Sequence, residues 1–121
     1  MRWSAARLVA LVGTVALHGS ALAVPFITTA TLPSGSASVA RCYVVNAGIR
    51  DADVTVEIVN AIGVSQGSNS GTLAPGLVMV FTDNTPADSY CRVSGISAGK
   101  ARLSFCMTTA AGNCLELATA P

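Results

Sequence analysis

Few side chains in this sequence could do chemistry. Four cysteines stand at Cys42, Cys91, Cys106 and Cys114, and the single histidine, His18, lies near the N-terminus. A thiol nucleophile or a Ser–His–Asp relay needs a base within reach. A zinc site needs Cys-x-x-Cys spacing or histidine partners, and no two of these cysteines have that spacing. The acidic residues form two close pairs, Asp51 with Asp53 and Asp83 with Asp88. Paired carboxylates can hydrolyse glycosides, but aspartates in stretches such as "TDNTPAD" (82–88) are ordinary turn formers. That stretch offers oxygens to calcium without the ligand spacing of a calcium loop. Lys100, preceded by Gly99, reads as a solvated turn residue and not as a base. The expectation is a protein without catalytic residues, a metal site or a cofactor.

The first residues, "MRWSAARLVALVGTVALHGSALA", set the compartment. Arg2 and Arg7 make a positive leader, residues 8–17 are mostly apolar, and "ALA" at 21–23 has small residues at both cleavage-recognition positions. This is the layout of a cleavable secretory signal peptide. The apolar run falls short of the about 20 residues that span a bilayer. Residues 1–23 are therefore expected to be removed, leaving 24–121 as one domain, secreted or periplasmic and not inserted in a membrane. Removal also takes away His18 and Trp3, the only residues of their kinds. The remaining charges are Arg41, Arg50, Arg92, Lys100 and Arg102 against Asp51, Asp53, Glu57, Asp83, Asp88 and Glu116, a net of −1. Nucleic-acid binding would need a basic stripe, and none is present.

The elements that would position any site read as strands. After residue 24 the sequence shows no helical period. Short runs rich in Val, Thr and Ala alternate with turn-forming Gly, Pro, Asn and Asp. Strands are expected at 26–32, 39–45, 54–60, 77–82, 89–94, 100–107 and 114–118, with a short extended piece near 71–73. "SQGSNSG" (65–71) reads as a mobile Gly/Ser-rich loop. Seven or eight short strands at this spacing imply an all-β, antiparallel immunoglobulin-like sandwich; an OB-type barrel is the alternative.

Neighbours along a strand face opposite ways, and this parity sorts the cysteines. Cys42 lies in register with Ala40 and Val44, and Cys91 with Val93, so both point inward. Cys106 and Cys114 flank one hairpin turn and point outward, while Leu115 and Leu117 are expected to point inward. Of the three possible pairings, parity selects a buried Cys42–Cys91 brace between the sheets and a Cys106–Cys114 staple across the hairpin. A Cys91–Cys106 bond would join an inward to an outward side chain.

The same alternation leaves Tyr90, Arg92, Arg102 and Ser104 outward. If 89–94 pairs with 100–107 across the "SGISAGK" turn, then Tyr90, Arg92 and Arg102, with Glu116 on the next strand, form one partner-binding face. Tyr and Arg are favoured at interface hot spots. Tyr43 and Tyr90 should stand on opposite outer faces, which argues against a shared sugar platform.

The order "CYVVNAG … VTVEIVNAIG … TLAPG … SYCRVSG … ARLSF" resembles small secreted bacterial proteins made of one immunoglobulin-like or fibronectin-like β-sandwich, mostly without an assigned activity. The resemblance implies fold and compartment. No Trp is available for the predicted Cys42–Cys91 bridge, and Tyr90 directly precedes Cys91, so the antibody-type tyrosine corner is not matched. The expected function is a non-enzymatic exported module that docks on another envelope or extracellular component, with another protein as partner. The alternative is a structural subunit of a surface fibre in which residues 24–32 donate a strand to a neighbour.

Overall fold

Alternating apolar and polar residues become eight strands in the computed structural model, which describes residues 26–120. The expected signal peptide (1–23) lies outside the described residues. The strands are β1 (Ile27–Thr28), β2 (Val39–Asn46), β3 (Ala52–Asn60), β4 (Ser65–Leu73), β5 (Val78–Asp83), β6 (Ser89–Ser94), β7 (Ala101–Thr108) and β8 (Cys114–Ala120). They form two four-stranded antiparallel sheets in the orders β1-β6-β3-β4 and β5-β2-β7-β8. The sheets stay separate, so the immunoglobulin-like sandwich holds and the closed barrel does not.

The core lies between the sheets. Val44, Leu103, Phe105 and Met107 from one sheet meet Val54, Val56, Ile58 and Val93 from the other, all of them buried. Period-two alternation delivers these side chains to one face of each strand. Cys42 on β2 bonds Cys91 on β6 across the core, with Cα atoms 5.6 Å apart, and Cys106 bonds Cys114 across the β7–β8 hairpin, with Cα atoms 5.8 Å apart. Both pairings follow the strand parity. Two disulfides in so small a domain point to an oxidising, extracytoplasmic setting. Among the described residues, no helix is long and apolar enough to cross a membrane.

Three expectations need correction. First, "SQGSNSG" is not a loop: residues 65–73 are a full strand, paired with β3 from Ala52↔Leu73 to Val59↔Ser65. Ser68, Ser70 and Thr72 share the outer face, opposite Glu57, Thr55 and Asp53. Gly67, Asn69 and Gly71 share the inner face, where Gly67 makes room for Phe81 from β5. A Cβ on Gly67 would lie 2.5 Å from Phe81 Cζ, and one on Gly71 would lie 3.6 Å from Met79 Cε. Gly67 also has φ +131°, beside a bulge that leaves Gln66 without a partner on β3.

Second, Leu115 and Leu117 do not face the core; they are 46 % and 62 % exposed. Met107 pairs with Glu116, but Thr108 pairs with Cys114, so Leu115 is the extra residue of a bulge. Leu117 lies opposite outward Cys106, while Ala118 and Ala120 lie opposite Phe105 and Leu103 and are buried. One inserted residue reverses the facing of everything beyond it.

Third, β6 and β7 do not pair. They are consecutive strands in different sheets. Gly95, at φ +90°, and a 3₁₀ turn at Ala98–Lys100 carry the chain across the sandwich. A Cβ on Gly95 would overlap the Asp53 carbonyl oxygen, so only glycine fits.

Candidate binding face

The crossing between β6 and β7 divides the face expected from the sequence. Tyr90 and Arg92 stand on the outer side of the β1-β6-β3-β4 sheet. Arg102 stands on the outer side of the other sheet, and Glu116, on edge strand β8, lies opposite inward Met107 at the far end of β7, so it shares neither the position nor the facing of Arg102. These four residues do not form one surface. Tyr43, on β2, and Tyr90 do occupy opposite outer faces.

The Tyr90 side is polar, and several of its groups bond one another. Arg92 Nη2 and Nε donate to Glu57 Oε1 at 2.6 and 2.9 Å, and the guanidinium carbon lies 4.4 Å from the ring centroid of Phe26. Partial burial disfavours the Glu57 carboxylate, but the nearby Ser65 hydroxyl and the Arg92 guanidinium outweigh it and hold this carboxyl below the usual range. Thr72 Oγ1 donates to Asp53 at 2.8 Å, and the Thr55 and Ser70 hydroxyls bond at 2.9 Å. Charges and hydroxyls committed to one another offer little to a partner.

The opposite face differs in chemistry. Strand register sets three rows of outward side chains across β5, β2, β7 and β8. The first row is Val78, Val45 and Arg102; the second is Val80, Tyr43, Ser104 and Thr119; the third is Thr82, Arg41, Cys106 and Leu117. Side chains directly opposite on adjacent strands have Cβ atoms about 4.5–5.5 Å apart, so each row is a continuous surface. Val78, Val80 and Leu117 are exposed, with Tyr43 and Val45 half-buried among them. Leu77, just before β5, and Leu115, at the β8 bulge, are also exposed, but register does not put them in these rows. Arg41 and Arg102 are the charges in these rows, at opposite ends of the Val45–Tyr43–Arg41 column. An exposed apolar patch with polar groups at its margin is the usual mark of an interaction site. Sequence parity already placed Tyr43 outward; Val78 and Val80 could be joined to it only once β5 was known to flank β2.

The carboxylates considered for catalysis or calcium have local roles. Asp88 Oδ1 accepts from Ser34 N at 2.8 Å and from Ser34 Oγ at 3.1 Å, tying two loops together. Buried Asp83 Oδ1 accepts from Thr85 N and Oγ1. Asp53 holds Thr72, and Asp51 is exposed. Among the described residues, no three His, Cys, Asp or Glu side chains converge as a metal site would require. Residues 26–32, the described part of the segment considered for strand donation, run along β6 of their own sandwich. Ile27 pairs with Val93, Thr29 N donates to Cys91 O, and Leu32 bridges Ser89.

No protein-family model and no curated protein matches this sequence. A solved structure, the Anabaena sensory rhodopsin transducer, is similar at 19% identity with a TM-score of 0.34, covering 60% of this chain and 82% of that one.

Proposed function

We propose that the protein is a non-enzymatic exported binding module whose working surface is the outer face of the β5-β2-β7-β8 sheet. On this reading residues 1–23 direct export and are removed, and the domain acts in the periplasm or outside the cell. The supporting observation is the contrast between the two outer faces. One pairs Arg92 with Glu57, Thr72 with Asp53 and Thr55 with Ser70. The other leaves Val78 and Val80 exposed beside Tyr43 and Leu117 exposed on edge strand β8, with Arg41 and Arg102 on the same face.

That chemistry selects the kind of partner: a protein surface with an apolar centre and carboxylates positioned to meet Arg41 and Arg102. Tyr43 would be the anchor, since its ring offers a large contact area with a polar tip. Changing Val80 to Asp should abolish such binding by placing an unpaired charge in the apolar centre. Changing Arg92 to Ala, on the other face, should leave binding intact. The readout is site-specific crosslinking in the compartment where the processed protein resides. Adducts from position 43 that survive Val80→Asp would refute the proposal.

A further inference from the structure

The sandwich has four strand edges, and the structure treats them differently. The β1 edge is a strand of only two residues, continued along β6 by an isolated bridge at Leu32, and so short an edge is itself protected. The β4 and β5 edges lie beside each other, where Asn69 Nδ2 donates to the Val80 carbonyl at 3.1 Å and Phe81 packs at Gly67. The remaining edge is β8, seven residues long and paired on one side only, with β7. Among the described residues, no strand pairs with its other side.

A free strand edge presents a row of unpaired N–H and C=O groups, and proteins normally protect such edges with Lys, Pro, bulges or very short strands. In "CLELATA" (114–120) there is no Lys, Arg or Pro, and the single charge is Glu116. The bulge lies at one end, at Leu115, and leaves 116–120 in regular register with β7. The Cys106–Cys114 bond fixes the start of the strand to its neighbour, so little ordering is needed before the edge can pair.

We propose that β8 pairs antiparallel with β8 of a second copy of this chain, about a two-fold axis through Leu117. The occupant is a second copy because the strand is complementary to itself. A two-fold perpendicular to the sheet keeps outward residues opposite outward residues only when it passes through a residue. Leu117 is the midpoint of Cys114–Ala120, so an axis there gives the longest overlap and keeps the bulge at Leu115 outside the three central pairs. It sets Leu117 against Leu117 and Glu116 against Ala118. An axis through Glu116 would oppose two carboxylates, which is unfavourable. With a net charge of −1 on residues 24–121, two copies experience little long-range repulsion. Edge pairing of one short strand buries less than the about 1,200 Å² of a standard interface, so the dimer is weak and concentration-dependent. It would join two four-stranded sheets into one of eight strands and double the apolar face without covering Tyr43. This inference goes beyond the binding role and does not depend on it.

The test uses residues 24–121 with both disulfides formed. Sedimentation from micromolar to millimolar concentration should show a monomer–dimer equilibrium. Leu117→Lys, at an exposed position that folding tolerates, should weaken the dimer by at least about tenfold by opposing two like charges. Tyr43→Ser, away from the edge, should leave it unchanged. A cysteine introduced by Leu117→Cys should give a dimer linked at that position under mild oxidation, with both native disulfides intact in the peptide map. One introduced by Thr119→Cys should not link to itself. A monomer at every concentration, a dimer indifferent to Leu117→Lys, or linkage at position 119 in place of 117 would overturn the proposal.

Discussion

Replacing Cys42 and Cys91 together by alanine should cost about twice as much stability as replacing Cys106 and Cys114. The first bridge spans 49 residues and the second 8. Loop-closure entropy in the unfolded chain gives about 4 kcal/mol for the long loop and about 2.5 kcal/mol for the short one. Location widens the gap. Cys42 and Cys91 are fully buried in the core, so removing two sulfur atoms there adds about 1 kcal/mol of lost packing. Cys114 is exposed, so the hairpin variant loses little more than its loop term. The expected losses are about 5 and about 2.5 kcal/mol. Domains of this kind have about 5–15 kcal/mol in total, so the first variant sits near the threshold of folding. Urea unfolding followed by circular dichroism, with matched slopes, measures both. Equal losses, or a larger loss from the hairpin pair, would refute the assignment of the inter-sheet bond as the main brace.

Other perturbations test the packing directly. Gly67→Ala should lower stability by about 1–3 kcal/mol, because the new methyl meets the Phe81 ring and the backbone sits at φ +131°; pairing it with Phe81→Leu should restore part of the loss in the same unfolding assay. Asn46→Ala should cost at least about 2 kcal/mol, since buried Asn46 donates to the Arg50 and Leu73 carbonyls, both at 2.8 Å, and accepts from Gly48 N. Glu57→Gln should flatten the acid side of the stability profile: the folded carboxyl titrates below its ordinary value of 4.5, so its contribution is present above that pH and lost as pH falls through the lower folded value. Thermal melts of both forms between acid and neutral pH check the difference.

Much of the scaffold was legible because it rests on period-two patterns that a strand cannot hide. Ala40, Cys42 and Val44, then Cys91 and Val93, declared their inward faces, and parity alone selected the two disulfides. What was not legible depends on partners distant in sequence. "SQGSNSG" lacks the β-branched residues of a typical strand; it becomes β4 because β3 needs a neighbour and Gly67 makes room for Phe81. The facing of Leu117 is not visible in composition, because the bulge at Leu115 shifts register without changing it. The expected Tyr90–Arg92–Arg102–Glu116 face failed at one link: a short glycine-containing connection can close a hairpin or cross between sheets, and here it crosses. Tyr43 was readable as outward, but its apolar surroundings were not, since Val78 and Val80 reach it only through the β2–β5 pairing.

The central claim, that the Tyr43 side and not the Tyr90 side meets a partner, is tested most directly by one comparison. A photo-crosslinking phenylalanine analogue is placed at position 43 or at position 90, and both forms are activated in the oxidising, extracytoplasmic setting to which the disulfides point. The prediction is a discrete protein adduct from position 43 that disappears with Val80→Asp, and none from position 90. Adducts from position 90 alone, or adducts from position 43 that Val80→Asp does not affect, would contradict it.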